Sequence, residues 1–363
     1  MLTNGCGGER VSTMTTAGER VALPGAGRLP MVSVVMPVRN ESRFIVQSIT
    51  SVMEQDYSPH RLEVVVADGR STDDTRDRVQ QMQTRYDNLY LVDNPQQVMP
   101  SGANIAIQKA SGDLILLLGG HSAVPPDYVR RCAQRLVELD ADCVGGALET
   151  VGEGYVGGAV ALAMSSRFGV GTASFRTAGR EAEPRETDTV AFGLYRREVF
   201  ERIGGFDEEL VRNQDDEFNV RLTQSGGKIW LDPSIRSLYY SRAALDSLWK
   251  QYFQYGYYKI RLIQKRGAVP SWRHVVPASF LLALIAGLVA TLITGNPLWS
   301  GLVLGPYLAA SAGASARIAL QSGASYLPLL PLVFLTLHLG YGCGFLAGIF
   351  RFGVIERGLE EEE

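Results

Sequence analysis

Short uninterrupted apolar runs alternate along this chain with stretches in which apolar residues return every third or fourth position. Val32-Ser-Val-Val-Met36, closed by Pro37, reads as a buried parallel strand. Phe44, Ile45, Ile49, Val52 and Met53 then share one broad helical face. Leu62-Glu-Val-Val-Val-Ala67 is a second buried strand ending at Asp68-Gly69, and Ser71-Thr-Asp-Asp74 has the form of a capping box opening the next helix. The alternation continues with a strand over 89–92, a helix over 101–110 stopped by Gly112, a strand over 114–118, a helix opened by Pro125 and Pro126, and a strand over 143–148. Residues 151–190 are glycine-rich and carry no clear period. Helical periodicity returns over 195–203 and 215–224, and Lys228-Ile-Trp-Leu231, closed by Pro233, is a last strand. Strands alternating with helices predict an α/β unit with a mostly parallel central sheet. Such sheets bind ligands beyond the carboxyl ends of their strands, where Asp68 and Gly119-Gly120-His121 fall.

Near residue 276 the pattern changes. Residues 276–294 are roughly nineteen positions without a charge, enough to cross a bilayer as a helix. A second stretch over 298–319 is interrupted by Arg317, and a third runs over 327–350. Ahead of them, Trp249, Tyr252, Phe253, Tyr255, Tyr257 and Tyr258 interleave with Lys250, Lys259, Arg261, Lys265 and Arg266. Aromatic rings beside basic heads suit the headgroup region. By the positive-inside rule the basic cluster puts the α/β domain in the cytoplasm of a multi-pass inner (plasma) membrane protein. Arg351 and Arg357 fit three full spans poorly, so a re-entrant or interfacial second segment stays open. The expected division is a disordered leader over 1–30, an α/β domain over 31–243, an amphipathic interfacial helix over 244–270, a transmembrane segment of about three helices over 271–352 and an acidic tail over 353–363.

Composition narrows the function. The 363 residues carry a net charge of −3, without the basic surplus that phosphate backbones demand, so nucleic acid is not an expected partner. Cys6, Cys132, Cys143 and Cys343 are scattered and read as reduced, cytosol-facing thiols. The leader holds no apolar core of signal-peptide length, and neither a P-loop nor a Ser-His-Asp spacing occurs.

Four motifs then occur in order: Val34-Val-Met-Pro-Val-Arg-Asn-Glu41; Glu63-Val-Val-Val-Ala-Asp-Gly-Arg-Ser-Thr-Asp-Asp-Thr75; Gly193-Leu-Tyr-Arg-Arg-Glu-Val-Phe-Glu-Arg-Ile-Gly-Gly-Phe-Asp-Glu208; and Asn213-Gln-Asp-Asp-Glu-Phe-Asn-Val-Arg221. Over about residues 31–270 this resembles a family 2 glycosyltransferase of GT-A fold, closest to the succinoglycan-biosynthesis type, which extends lipid-linked oligosaccharides. The resemblance implies an inverting transfer of one sugar from a nucleotide-sugar, UDP favoured, to a lipid-linked acceptor in exopolysaccharide or cell-envelope glycan synthesis.

Residue by residue, the expectations are these. Asp68 can accept the N3–H of uracil, or cap its own turn. Pro37 and Asn40 line the nucleotide, and Glu41 reaches the ribose or base or serves the helix start. Gly102 and Asn104 fall on the nucleotide-facing loop by the resemblance, or simply start a helix. Gly119 and Gly120 are expected to line the nucleotide; by the resemblance Gly119 stands where the first acid of a metal motif belongs, which leaves His121 as the single protein ligand of Mn²⁺ or Mg²⁺, or as a locally bonded histidine. Asp215 is the expected catalytic base and Asp216 the second choice, because an attacking hydroxyl must lose its proton to a carboxylate within reach; all the acids here also suit a helix start. Phe206 and Asp207 shape the acceptor pocket, Asp188 touches sugar, and Arg221 pairs with the acids or with diphosphate. Gln251 lines the acceptor side. The Arg-Trp of processive synthases is missing after Gln251, which favours single additions. A degenerate nucleotide-binding scaffold, motivated by Gly119, and a processive synthase remain the alternatives.

Overall fold

The computed structural model describes residues 29–179, 182–241, 244–267 and 271–355. Nine strands form one mixed sheet: β1 Val32–Val38, β2 Leu62–Asp68, β3 Leu89–Asp93, β4 Leu114–Leu117, β5 Ser122–Ala123, β6 Cys143–Val151, β7 Arg185–Glu186, β8 Ala191–Arg196 and β9 Ile229–Tyr240. Their order is β3-β2-β1-β4-β8-β6-β9-β5, with β7 paired to β9. The first four strands run parallel, β8 inserts antiparallel between β4 and β6, and β6 pairs in parallel with β9. The apolar runs of β1, β2 and β4 are buried because both sheet faces are covered there, while edge strand β3 is only partly covered. Val34, Met36, Val64 and Val66 face Ile45, Ile49, Tyr128 and Leu136 on one side. Val35, Val65 and Ile115 face Ala103, Ala106, Phe200 and Phe218 on the other.

Several local expectations are corrected. Helix Thr75–Gln83 has no side-chain cap at Asp74; instead Asp73 accepts from the Thr75 amide at 3.0 Å and the Ser42 amide at 3.1 Å, tying two strand-end loops together. Tyr195 and Arg196 end strand β8, and only Arg197–Ile203 is helical: the burial of both faces overrides the helical period. β9 runs past Pro233, because its register against β6 shifts at Gly146/Ala147 and frees the proline from the ladder. The unassigned glycine-rich stretch forms helix Gly154–Met164, buried against the C-terminal helices, and two short turns. Among the described cysteines, Cys132, Cys143 and Cys343 are free.

Beyond the sheet come helices Leu245–Arg266, Val276–Thr294, Leu298–Ser322 and Leu330–Gly348. Two of these, extended to Trp272–Thr294 and Leu330–Gly353, are long and apolar enough to cross a bilayer. Leu298–Ser322 is not, although its outward Leu320 is 89% exposed, as are Leu292 at 83% and Ile293 at 79% on the preceding helix. The expectation of about three spans is therefore met by composition in two.

Four of the five basic residues expected at the headgroups on helix Leu245–Arg266 turn toward the α/β domain, while Lys250 is exposed. Lys259 bonds Asp216, Arg266 bonds Glu217, Arg261 meets Glu209 at 3.0 Å and Lys265 meets Asp207 at 2.7 Å. Its other face carries Trp249, Phe253 and Tyr257 at intervals of four. Gly340, Gly344 and Gly348 of the last helix lie against them at the same interval. A Cβ on Gly344 would collide with the Phe253 carbonyl, one on Gly348 would stand 2.6 Å from the Tyr257 carbonyl, and one on Gly256 would collide with the Tyr341 carbonyl. The backbones touch because no side chains intervene, as small-residue helix pairs in membranes do.

A Gly344→Leu substitution should cost about 1–3 kcal/mol or more, the usual penalty for overfilling a close contact. It should lower the thermal midpoint of the detergent-solubilised protein. Gly301→Leu, where nothing stands within 4 Å of the added Cβ, should leave that midpoint unchanged; equal melting curves for the two variants would refute the seam.

Candidate active site

The carboxyl ends of β1 and β4 open into a cavity of about 1150 Å³ that runs to the C-terminal helices. Pro37, Glu41, Gly119, Gly120 and His121 line it from the sheet; Asp215 and Asp216 from helix Gln214–Gln224; Gln251, Tyr255 and Lys259 from the amphipathic helix. The last three recur at intervals of four, so one helical face delivers them together.

At the end of β4 the His121 Nδ1 lies 2.8 Å from the Glu41 Oε1. Gly120 makes this possible, since a Cβ there would come within 2.9 Å of both the Glu41 Cγ and the Val38 Cγ1. The His121 ring stands edge-on to Tyr239 at 5.1 Å. A histidine whose one nitrogen is held by a carboxylate presents the other as a ligand, the usual support of a metal-bound imidazole. Among the described residues no group of three His, Cys, Asp or Glu side chains could hold an ion unaided. An ion here would therefore draw the rest of its coordination from a ligand and water.

The acids of helix Gln214–Gln224 divide by partner. Glu217 is fully buried and chelated by Arg221, with nitrogen–oxygen distances of 2.7 and 2.9 Å. Asp216 takes the Lys259 ammonium, itself only 1% exposed. Burial pushes the Asp216 carboxyl up, but the Lys259 charge and hydrogen bond outweigh it and hold the carboxyl below its usual range. Asp215 has no such cation. Desolvation first, then the neighbouring Asp216 charge, raise its carboxyl well above the usual range. Asp215 thus faces the cavity as a carboxylate of increased proton affinity, the property of a general base. The helix opens from Asn213, held in the left-handed region at φ 62° with its Nδ2 donating to the Tyr255 carbonyl at 2.9 Å.

Gln251 is 9% exposed, and its Nε2 donates to the hydroxyls of Tyr239 at 3.2 Å and Tyr255 at 2.9 Å. Its Oε1 is buried without a partner in the cavity wall, a group that a ligand hydroxyl would satisfy.

Other sequence candidates lie elsewhere. Asn40 accepts from the Thr72 amide at 2.8 Å, and the fully buried Asp68 accepts from Ser71 and from the Arg76 Nη1 at 3.2 Å; the two shape the 69–75 turn and do not line the cavity. Gly102 lies behind Pro37, leaving a Cβ 3.1 Å from the proline ring. Asn104 clasps the Phe206 backbone at both ends of its amide, at 2.8 and 2.9 Å. Phe206 is core, 4.7 Å from the Phe218 ring, and Asp207 is the partner of Lys265. Arg221 spends its donors on Glu217 and on the Ile203 and Gly205 carbonyls, so it braces the helix rather than facing a ligand. Asp188 meets Arg273 at 3.2 Å outside the cavity lining.

Sequence reading missed Lys259 as a cavity residue, having placed it among headgroup cations; its spacing from Gln251 and Tyr255 was the available signal. It also missed Arg176, which lies 5.3 Å over the Tyr239 ring and 2.9 Å from the Thr150 hydroxyl.

Comparison with known proteins agrees with this architecture. The Glycosyl transferase family 2 model matches residues 33–204. The succinoglycan biosynthesis protein ExoA of Rhizobium meliloti (strain 1021) is 30% identical over 324 residues, covering 88% of this chain and 95% of that protein. The dolichyl N-acetyl-alpha-D-glucosaminyl phosphate 3-beta-D-2,3-diacetamido-2,3-dideoxy-beta-D-glucuronosyltransferase of Methanococcus voltae is 25% identical over 88% of this chain and 97% of its own length. The mannosyltransferase PcManGT of Pyrobaculum calidifontis, solved in complex with GDP-Man and Mn²⁺, superposes with a TM-score of 0.57 at 17% identity, over 87% of this chain and 88% of that one, which shows a shared GT-A fold. The chain belongs to glycosyl transferase family 2, and its activity is sugar transfer.

Proposed function

We propose that this transferase moves one sugar, with inversion, from a nucleotide-sugar to a lipid-linked acceptor at a membrane surface. The observation that carries the reading is the placement of Asp215. It is the one carboxylate of its helix opening left without a cation, and it faces a cavity that joins the sheet's ligand-binding end to apolar helices.

The acceptor hydroxyl attacks the anomeric carbon while its proton passes to the Asp215 carboxylate. The bond from the anomeric carbon to the diphosphate oxygen breaks on the opposite face, and the diphosphate keeps that electron pair. Lys259 keeps Asp216 charged but paired, so the proton has one acceptor. Gln251 offers its unpaired Oε1 to a hydroxyl of the incoming glycan. UDP is the favoured nucleotide.

The pair of Glu41 and His121 fits a divalent ion, with the His121 Nε2 as its protein ligand. Such an ion supplies charge compensation to the leaving diphosphate. Exopolysaccharide or cell-envelope glycan as the product, and an inner-membrane location with the sheet domain cytoplasmic, rest on the relatives and on the two long apolar helices.

Three measurements test this reading. First, turnover of a UDP-sugar panel with a lipid extract should fall about 10²–10⁴-fold in Asp215→Asn, the usual worth of a positioned base; UDP should still bind. Undiminished turnover removes Asp215 from the chemistry. Second, kcat/KM should fall toward acid pH, because the base works only deprotonated, and the fall should begin above the ordinary carboxylate range. Lys259→Met leaves the Asp216 charge facing Asp215, so the acidic limb should move further up in pH. A folded variant whose limb stays in place separates Lys259 from the base. Third, Mn²⁺ titrated in the presence of UDP and followed by the electron paramagnetic resonance of the free ion should bind the wild type. Glu41→Gln should weaken that binding about tenfold or more and His121→Ala should abolish it. Equal affinity in all three places the ion elsewhere.

A further inference from the structure

Two guanidinium groups, Arg167 and Arg273, line the same cavity as the Asp215 and Asp216 carboxylates and residues of the apolar helices. They belong to short turns fixed to the helical bundle. Phe168, next to Arg167, stacks edge-on to Phe334 at 4.9 Å and His338 at 5.1 Å, and its carbonyl lies 2.9 Å from the His338 Nε2. Arg273 sits in the turn Trp272–His274 directly ahead of helix Val276–Thr294. Gly171, at φ +64°, brings the two turns together, with its missing Cβ position 3.5 Å from the Arg273 Cβ.

The donor capacity of this pair is largely unspent. Arg167 is exposed, and its side chain makes no hydrogen bond or ion pair among the described residues. Arg273 makes two long contacts, 3.2 Å to Asp188 and 3.4 Å to the Thr172 carbonyl. A guanidinium carries five donors. Phe280, Val303, Pro306, Tyr307 and Leu337 add an apolar wall to the cavity, and the Tyr307 ring stands 5.9 Å from Phe168, the neighbour of Arg167, and 4.4 Å from Phe280. A site with cationic forks at one end and an apolar wall leading into the bundle complements an amphiphile whose anionic head joins a hydrocarbon tail.

The geometry points to Arg167 and Arg273 as the binding site for the phosphate or diphosphate of a long-chain lipid acceptor, whose tail lies along Phe280, Tyr307 and Leu337 and whose glycan extends toward Asp215. This deepens the lipid-linked-acceptor reading above and rests on it. Arginine forks suit phosphoryl oxygens because two parallel N–H groups match two oxygens.

The test uses the full chain in nanodiscs of neutral phospholipid and titration calorimetry. Geranylgeranyl diphosphate is the probe for the lipid head and tail, inorganic diphosphate for the head alone, phosphatidylglycerol for an ordinary anionic lipid, and UDP for the donor end. Geranylgeranyl diphosphate should bind the wild type more tightly than inorganic diphosphate. Arg167→Gln and Arg273→Gln should each weaken it about tenfold or more, as loss of a charge-assisted pair does, with UDP affinity unchanged. Because Arg273 also touches Asp188, the exposed Arg167 carries the test should Arg273→Gln fail to fold. Unchanged affinity for geranylgeranyl diphosphate in Arg167→Gln overturns the proposal. So does inorganic diphosphate binding as tightly as the lipid, which denies the apolar wall any part. Displacement of the probe by phosphatidylglycerol overturns it in favour of a general phospholipid site. If the wild type binds geranylgeranyl diphosphate but not UDP, the donor reading fails and the lipid site stands.

Discussion

The close approach of two helix backbones is the constraint on which the site depends. Gly340, Gly344 and Gly348 let the last helix lie directly on Trp249, Phe253 and Tyr257, and Gly256 returns the contact from the other side. The amphipathic helix is thereby fixed in rotation as well as position. Its opposite face carries Gln251, Tyr255 and Lys259, so the same rotation turns those three toward the strand ends. A cation set there by packing neutralises Asp216 and leaves Asp215 without one. Helix–helix packing with no chemistry of its own thus decides which of two adjacent carboxylates is free.

This couples electrostatics to architecture in a particular order. Both aspartates pay for burial, but only one receives a charge partner, and the difference between their proton affinities follows from that asymmetry. The same logic appears at the end of β4. There Gly120 removes a side chain so that Glu41, from the neighbouring strand end, can reach His121.

Most of the sheet was legible because its strands are continuous β-branched runs, and parallel strands buried on both faces leave that mark. Two features hid. Tyr195 looked helical because the apolar residues of β8 and of the helix after it join into one period, and only the pairing of β8 between β4 and β6 separates them. β9 seemed to stop at Pro233, since a bulge cannot be read from one strand alone. At the site, Asp215, Glu41, Gly120, His121 and Gln251 were found by motif and all line the cavity. Phe206 and Arg221 also fall in the quoted motifs but pack against Phe218 and Glu217, and Asn104 clasps the Phe206 backbone, because residues close in sequence point different ways. Lys259 was misjudged because basic residues among aromatics suggest headgroups. The four-residue spacing of both faces of its helix was in the sequence, but its meaning depended on knowing what each face would meet.

The ion pairs across the amphipathic helix have a consequence for how this protein can be divided. A cut near residue 243 looks natural in composition, with an ordinary globular domain before it and a hydrophobic region after. Yet Lys259, Lys265 and Arg266 on one side hold Asp216, Asp207 and Glu217 on the other. Asp216, which lines the cavity, and its counter-ion lie on opposite sides of the apparent boundary. A segment joined after residue 243 in place of this one would have to bring cations for Asp216, Asp207 and Glu217 as well as an apolar surface for the helices to pack on.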